Sequence, residues 1–434
     1  MLHINPAKCL MDEKVHIKIT NLKSCENVTV KCEVEQNGFI YVSIAHLIAS
    51  LNGEVDLAND PSFGGSYIGI DQMGIFWSML PATGQKLGLR YIPRNVTDPA
   101  KYKLQVYKGH LNDNDFVKEH NIQVDKTNKK QPIVEGVVLR CCSAPGVTRY
   151  EVKHGSVRGT IFKPPGKGPF KGVIDVYGSA GGIVESRAAL LASHGFIAFT
   201  LPHHRYRDLP KELHDVSIEY FIEAIDYFSS LDAVQPGIGM IGISSGGLFA
   251  MVLSALSSKL SGIISINSLS YISFVMKKNN QQYPPIEDIL IDLQKAMPWQ
   301  EDDKGGILVD LSIYDKRTDH LTLNIDQSNA KFLLIAGEDD KCVNNKLATD
   351  KLLKKMYKSG KGDNIDLLLY PGAGHFIDPP YMPLTLLHYN PIYKRPVAVG
   401  GKIVHTAAAC VHSWTEILKF LNANVGKLNF HSKL

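Results

Sequence analysis

The sequence predicts two folds in one chain: an all-β sandwich, then a mostly parallel sheet with helices on both faces. Three observations carry this expectation. Alternating apolar and polar residues fill the first third. Near-continuous apolar runs interleaved with helical patterns fill the remainder. Within that second part, Gly242-Ile243-Ser244-Ser245-Gly246 joins an apolar strand to an apolar helix.

The sandwich is expected over residues 1–145. Val15-His16-Ile17-Lys18-Ile19 and Val28-Thr29-Val30-Lys31-Cys32-Glu33-Val34 alternate with period two. Phe39 to Ile44 and Tyr102 to Tyr107 read the same way. Short strands of this pattern, broken by Asn, Gly and Asp, predict antiparallel pairing with one wet face. From 146 to 434 the period changes. Gly172 to Val176, Ile197 to Leu201, Gly239 to Ile243, Gly262 to Asn267, Phe332 to Ala336 and Leu367 to Tyr370 read as buried strands. Glu185 to His194 and Ser217 to Leu231 read as helices between them. Such alternation means a parallel sheet covered on both faces. Residues 268–330 carry little strand signal and are expected to form a lid, with an amphipathic helix near Ile286 to Met297.

The glycine-flanked serine has the form of the nucleophile elbow of an α/β-hydrolase. The turn is tight, so the neighbours of the serine must be small, and it lifts the hydroxyl clear of the sheet. Ser244 is therefore the expected nucleophile. The acid is expected after the strand Phe332 to Ala336, in Gly337-Glu338-Asp339-Asp340. Asp339 and Asp340 compete; the D-x-x-V spacing to Val343 favours Asp340. His375, after the last buried strand and preceded by glycines, is the expected base. The chain order Ser, Asp, His is that of the α/β-hydrolases. Two backbone N–H groups are expected to hold an oxyanion. One is that of Ser245; the other comes from Gly178-Ser179-Ala180, with Ser179 favoured and Ala180 next. That glycine-rich loop lacks the Lys and Ser/Thr of a phosphate-binding P-loop.

Composition narrows the classes further. The net charge of +4 over 434 residues gives no basis for nucleic-acid binding. No apolar run is long enough to span a membrane. The seven cysteines are scattered and lack metal-ligand spacing. Free thiols and no metal site are expected. Ser432-Lys433-Leu434 has the form of a peroxisomal address, so an import receptor is the expected partner and the peroxisome the expected location, with a cytosolic pool allowed.

Several segments resemble one enzyme family. Val55-Asp56-Leu57-Ala58, Gly64-Gly65-Ser66-Tyr67 and Met73-Gly74-Ile75-Phe76-Trp77-Ser78-Met79 are similar to its N-terminal sandwich. Gly181 to Ala188, Arg207-Asp208-Leu209-Pro210, Gly242-Ile243-Ser244, Gly337 to Asp340 and Gly374 to Tyr381 are similar to its catalytic half. The family comprises type I acyl-CoA thioesterases and bile acid-CoA:amino acid N-acyltransferases. The resemblance covers nearly the whole chain. It implies an N-terminal Ig-like domain, a C-terminal α/β-hydrolase domain, fatty acyl-CoA or bile acid-CoA substrates, and a triad of Ser244, Asp340 and His375; hydrolysis through such a triad is expected to need no cofactor. The loop Pro202-His203-His204-Arg205-Tyr206-Arg207 departs from the aromatic residues usual there. A solvated loop is the preferred reading of it; contact of His203, His204 and Arg205 with CoA phosphates is the alternative.

Ser rather than Cys at 244 bears on the reaction. A thioester acyl-enzyme is readily attacked by amines, whereas an oxygen ester leaves water as the usual acceptor. Acyl-CoA hydrolysis is thus favoured over transfer to an amino acid. A carboxylesterase or dienelactone-hydrolase-like activity is the remaining alternative, against which the N-terminal sandwich argues.

Overall fold

The computed structural model describes residues 1–112, 130–272, 276–283, 299–301, 305–309, 322–391 and 394–427. The chain forms two compact units. One holds Met1–Cys142 together with Asp378–Thr385; the other holds Ser143–Ile377 and Leu386–Leu434. The return of Asp378–Thr385 to the first unit has no counterpart in the sequence reading. There Arg140 Nη1 donates to the Tyr381 carbonyl at 3.4 Å, and the Leu384 N–H donates to the Trp77 carbonyl at 3.3 Å.

The first unit is built of β-strands. A six-stranded sheet runs Lys8–Leu10, Val134–Cys141, Ala100–Lys108, Asn27–Gln36, Phe39–Ile48, Leu80–Pro81. A three-stranded sheet runs Leu2–Asn5, His16–Ile19, Val55–Asp56. All pairs are antiparallel except that of the first two strands of the larger sheet. The expected wet face of the central strand Asn27–Gln36 survives at Asn27 and Glu35 but is covered between them, where Thr29 and Lys31 are buried as fully as Val28 and Val30. The physical reason is coverage. Thr29 Oγ1 donates to the Gly109 carbonyl (2.8 Å) and accepts from the Leu111 N–H (2.8 Å), while Lys31 Nζ lies 3.0 Å from Glu33 Oε2.

The second unit carries an eight-stranded sheet. Its elements in chain order are β1 (Thr148–His154), β2 (Val157–Lys163), β3 (Gly172–Val176), α1 (Ser186–Ser193), β4 (Ile197–Thr200), α2 (Ile218–Ser229), β5 (Ile238–Ile243), α3 (Ser245–Ser254), β6 (Leu260–Ile266), β7 (Lys331–Gly337), α4 (Asn345–Lys358), β8 (Ile365–Tyr370) and α5 (Ile403–Asn424). The strands lie in the order β1-β2-β4-β3-β5-β6-β7-β8. β2 is antiparallel to both its neighbours, and every other pair is parallel. Every residue of β3, β5 and β6 is buried, as continuous apolar runs require. Ile174, Phe199, Phe228, Met240, Phe249, Ile263 and Phe332 share one core cluster. Burial of each such side chain contributes about 1.5–3 kcal/mol. Helix α2 starts where the Ser217 hydroxyl accepts from the Tyr220 N–H (3.2 Å), and α4 where the Asn344 side chain accepts from the Leu347 N–H (3.2 Å).

Short strands do occur in the interval where strand signal is weak: Met276–Lys278, Gln281–Tyr283, Trp299–Glu301 and Ile307–Val309. Each has three residues, too few to display a period of two. The expected helix near Ile286 to Met297 lies outside the described residues. All seven cysteines are free. Among the described residues no helix is long and apolar enough to cross a membrane.

Parallel strands place their following loops on one edge of the sheet, where sites in such folds lie. Residues 178–182 follow β3, Ser244 follows β5, Asn267 follows β6, Asp340 follows β7 and His375 follows β8.

Candidate active site

Ser244 sits between β5 and α3 with φ 56° and ψ −127°, the left-handed backbone of a sharp turn. The tightness is measurable at its flanks. A Cβ on Gly242 would lie 2.1 Å from the Gly246 carbonyl carbon, and one on Gly246 would lie 2.3 Å from the Val176 carbonyl oxygen. Both contacts are with backbone, so neither position accepts a side chain without moving the turn. The Ser244 N–H donates to the Ile266 carbonyl at 2.8 Å, and the Ser268 hydroxyl donates to the Ser244 carbonyl. Ser244 is thus tied by its backbone while the residue remains partly exposed.

Asp340 and His375 are brought together. His375 Nδ1 lies 2.7 Å from Asp340 Oδ2, with both side chains buried. The same carboxylate accepts from the N–H groups of Cys342 (2.7 Å) and Val343 (3.1 Å) and from Asn345 Nδ2 (2.8 Å). With Nδ1–H directed to the carboxylate, Nε2 is the nitrogen left to take a proton. Asp339 points elsewhere: it pairs with Lys341 (2.6 Å) and accepts from the Gly401 N–H (3.2 Å). No hydrogen bond joins the Ser244 hydroxyl to His375 among the described residues. Such contacts are often long before substrate binds.

Asp340, Cys342 and His375 form a cluster whose ligand atoms lie within 4.8 Å of one another. Two ligands of a tetrahedral zinc, each about 2.1 Å from the metal, stand about 3.4 Å apart. The 2.7 Å between Asp340 and His375 is a hydrogen-bond separation instead. Burial, and then the Asp340 charge, push the Cys342 thiol well above its ordinary range. Its Sγ faces the Ala398 carbonyl at 3.6 Å.

The loop after β3 borders Ser244. The position of a Cβ on Gly178 is 3.3 Å from Ser244 Cβ and 3.9 Å from Ser244 Oγ. The Ser179 carbonyl accepts from His204 Nε2 at 3.1 Å, and the Gly182 N–H donates to the His204 carbonyl at 2.9 Å. Because a trans peptide directs its N–H opposite to its carbonyl, holding the Ser179 carbonyl also aims the Ala180 N–H away from His204. Ser245 is the first residue of α3, where N–H groups have no acceptor within the helix and the dipole favours negative charge. The loop is anchored from below by a buried ion pair, Arg187 on α1 with Asp175 on β3, at 2.5 Å.

The histidine loop corrects the sequence reading. His203 and His204 are not solvated: they are 2% and 0% exposed. The His203 ring packs against Phe249 and Phe221, with centroids 4.9 and 5.9 Å away. Burial holds the His203 imidazole well below its usual range and pushes His204 down to about 4. Both are therefore uncharged near neutral pH and present no cation to a phosphate. Arg205 is half-buried, donating to the Lys211 carbonyl (3.0 Å) and pairing with Glu212 (3.5 Å). The role the geometry gives this loop is support of residues 179–182.

Residues that the motifs did not point to complete the site. Asn267 and Asn345 hydrogen-bond the loops of His375 and Asp340. Ser268 holds the Ser244 carbonyl. None belongs to a motif: Asn267 and Ser268 are short polar residues just past a strand end and Asn345 opens α4, signals shared with ordinary turns and helix starts.

The sheet order, the elbow and the buried His–Asp pair define an α/β-hydrolase. A family model described as "BAAT / Acyl-CoA thioester hydrolase C terminal" matches residues 216–427, and one described as "Acyl-CoA thioester hydrolase/BAAT N-terminal region" matches 12–154. The chain is 35% identical over 430 residues to a bile acid-CoA:amino acid N-acyltransferase of Mus musculus, covering 97% of this chain and 96% of that one. It is 33% identical over 427 residues to acyl-coenzyme A amino acid N-acyltransferase 2 of Mus musculus (97% and 96%). It is 32% identical over 425 residues to the peroxisomal succinyl-coenzyme A thioesterase of Mus musculus (96% and 94%). The chain belongs to the family of acyl-CoA thioester hydrolases and bile acid-CoA:amino acid N-acyltransferases.

Proposed function

We propose that this chain hydrolyses fatty acyl-CoA to free fatty acid and CoA through an acyl-enzyme on Ser244. The observation that carries the reading is a serine, not a cysteine, in an elbow on the same sheet edge as a 2.7 Å His375–Asp340 pair. His375, oriented by Asp340, takes the Ser244 proton as the oxygen attacks the thioester carbonyl. The Ser245 N–H and an N–H from Ser179 or Ala180 hold the oxyanion. As the C–S bond breaks, the departing CoA sulfur takes the proton from the His375 imidazolium and leaves His375 neutral; little acid assistance is needed because thiols ionise near ~8.5. Water activated by His375 then releases the acid. This sequence of steps calls for no metal or organic cofactor. The two sheets of the first unit are read as an Ig-like sandwich.

The relatives include both thioesterases and N-acyltransferases, so their names do not choose between water and an amine. Ester chemistry at Ser244 does. Purified protein given a panel of acyl-CoAs, with and without glycine or taurine, is expected to yield free acid in both cases. A predominantly amide product in the presence of the amino acid would replace this reading with acyl transfer.

Import into peroxisomes is part of the proposal. Ser432-Lys433-Leu434 lies outside the described residues; its support is the tripeptide itself and a relative named as peroxisomal. Deleting the tripeptide is expected to leave turnover in vitro unchanged and to spread a fluorescently tagged protein through the cytosol. Peroxisomal accumulation of the truncated protein would remove the tripeptide from the account.

A further inference from the structure

Asn267 is the first residue past β6, 1% exposed, in the left-handed region with φ 48°. Ile266 before it accepts the Ser244 N–H. The Asn267 N–H donates to the Ile335 carbonyl of β7 at 2.9 Å. Its side-chain Nδ2 donates to the carbonyls of Gly374 (3.1 Å) and His375 (2.7 Å). Its Oδ1 accepts from the Gly337 N–H (2.8 Å) and from Asn345 Nδ2 (2.9 Å). The same Asn345 nitrogen reaches Asp340 Oδ2 at 2.8 Å.

A primary amide offers two hydrogens and an oxygen with two lone pairs, and here all are used. An aspartate would set an acceptor against two carbonyls. A leucine would take the side-chain partner from two carbonyls and from the Gly337 N–H, each a substantial cost when buried. One side chain therefore links the loop of the base to the loop of the acid. Its backbone neighbour holds the nucleophile.

We propose that Asn267 is a positioning residue that sets His375 and Asp340 relative to Ser244; this rests on the hydrolase reading above. The buried amide ties the loop after β8 to the segment that follows β7, from a residue whose backbone neighbour holds Ser244, so its loss lets the base drift from the hydroxyl without emptying the acyl site. A misplacement of this kind costs about 10²-fold in rate.

The test is Asn267→Gly, since glycine adopts positive φ freely and only the side chain is lost. A fluorophosphonate that labels activated serines is used both to count reactive sites and to time their reaction. The expected result is the wild-type number of labelled chains, labelling and kcat both slowed by about 10²-fold, and KM unchanged. A role in folding alone would instead lower the number of labelled chains and leave the rate per labelled site intact. That outcome, or wild-type kcat, overturns the proposal. If Asn267→Gly does not fold, Asn267→Asp decides by the same readings, because it keeps the shape and reverses the two donors. Ser244→Ala run alongside separates the claims. Turnover retained in Ser244→Ala removes the hydrolase reading itself. Turnover lost there but retained in the Asn267 variants removes only this proposal.

Discussion

Ser244→Ala is expected to lower acyl-CoA turnover on the order of 10⁴-fold or more, with the fold unchanged. The backbone makes this variant informative. Ser244 already occupies a left-handed conformation, and alanine meets the same steric cost there as serine. The hydrogen bonds at this residue that hold the turn run through its backbone, to Ile266 and from Ser268, and survive the change. What is lost is the hydroxyl oxygen that forms the ester. Steady-state hydrolysis with a thiol-trapping readout for free CoA, beside thermal unfolding, measures both halves. Turnover above a tenth of wild type would place the nucleophile elsewhere.

The acid is the second large effect. Asp340→Asn is expected to reduce kcat by about 10⁴-fold. An asparagine keeps the size and can still accept from the Cys342 and Val343 N–H groups. It presents an amide where His375 Nδ1–H and Asn345 Nδ2 both need an acceptor. The imidazole then turns or takes the wrong tautomer, and its Nε2 no longer receives the serine proton. Asp339→Asn is the matched control. Asp339 pairs with Lys341 near the surface, and an exposed pair of this kind contributes little. Kinetics of both variants on one acyl-CoA decide the matter. A greater loss in Asp339→Asn would move the acid by one residue.

The candidate residues are legible because each lies in a local pattern. Ser244 needs small neighbours within two positions, and Gly242 and Gly246 stand there against backbone atoms. Asp340 follows an apolar run that is a strand buried almost throughout, whereas His375 follows β8, the edge strand, where the expected buried run Leu367 to Tyr370 is only half-buried and Leu369 is exposed. The supporting residues were not legible, because their partners are remote in sequence. Asn267 binds residues 70 to 108 positions away, and no periodicity encodes that. The histidine loop misled for a related reason. His203 and His204 look like a cationic surface when read alone, and only packing against Phe221, Phe249 and the Ser179 loop makes them buried and neutral. Thr29 is the same lesson in the first unit, a polar residue on a face that the Gly109–Leu111 segment covers. The competition between Asp339 and Asp340 was resolvable by spacing, and the geometry adds the reason: Asp340 faces the imidazole, whereas Asp339 faces Lys341.

Mapping the acyl-enzyme tests the central claim most directly. Enzyme mixed with a long-chain acyl-CoA, quenched in acid within a turnover, digested and weighed peptide by peptide reports where the acyl group resides. The account predicts the mass of the acyl chain on the peptide containing Ser244, absent in Ser244→Ala. An acyl group carried by Cys342 or another residue, or sustained turnover with no acylated peptide at any quench time, would contradict it.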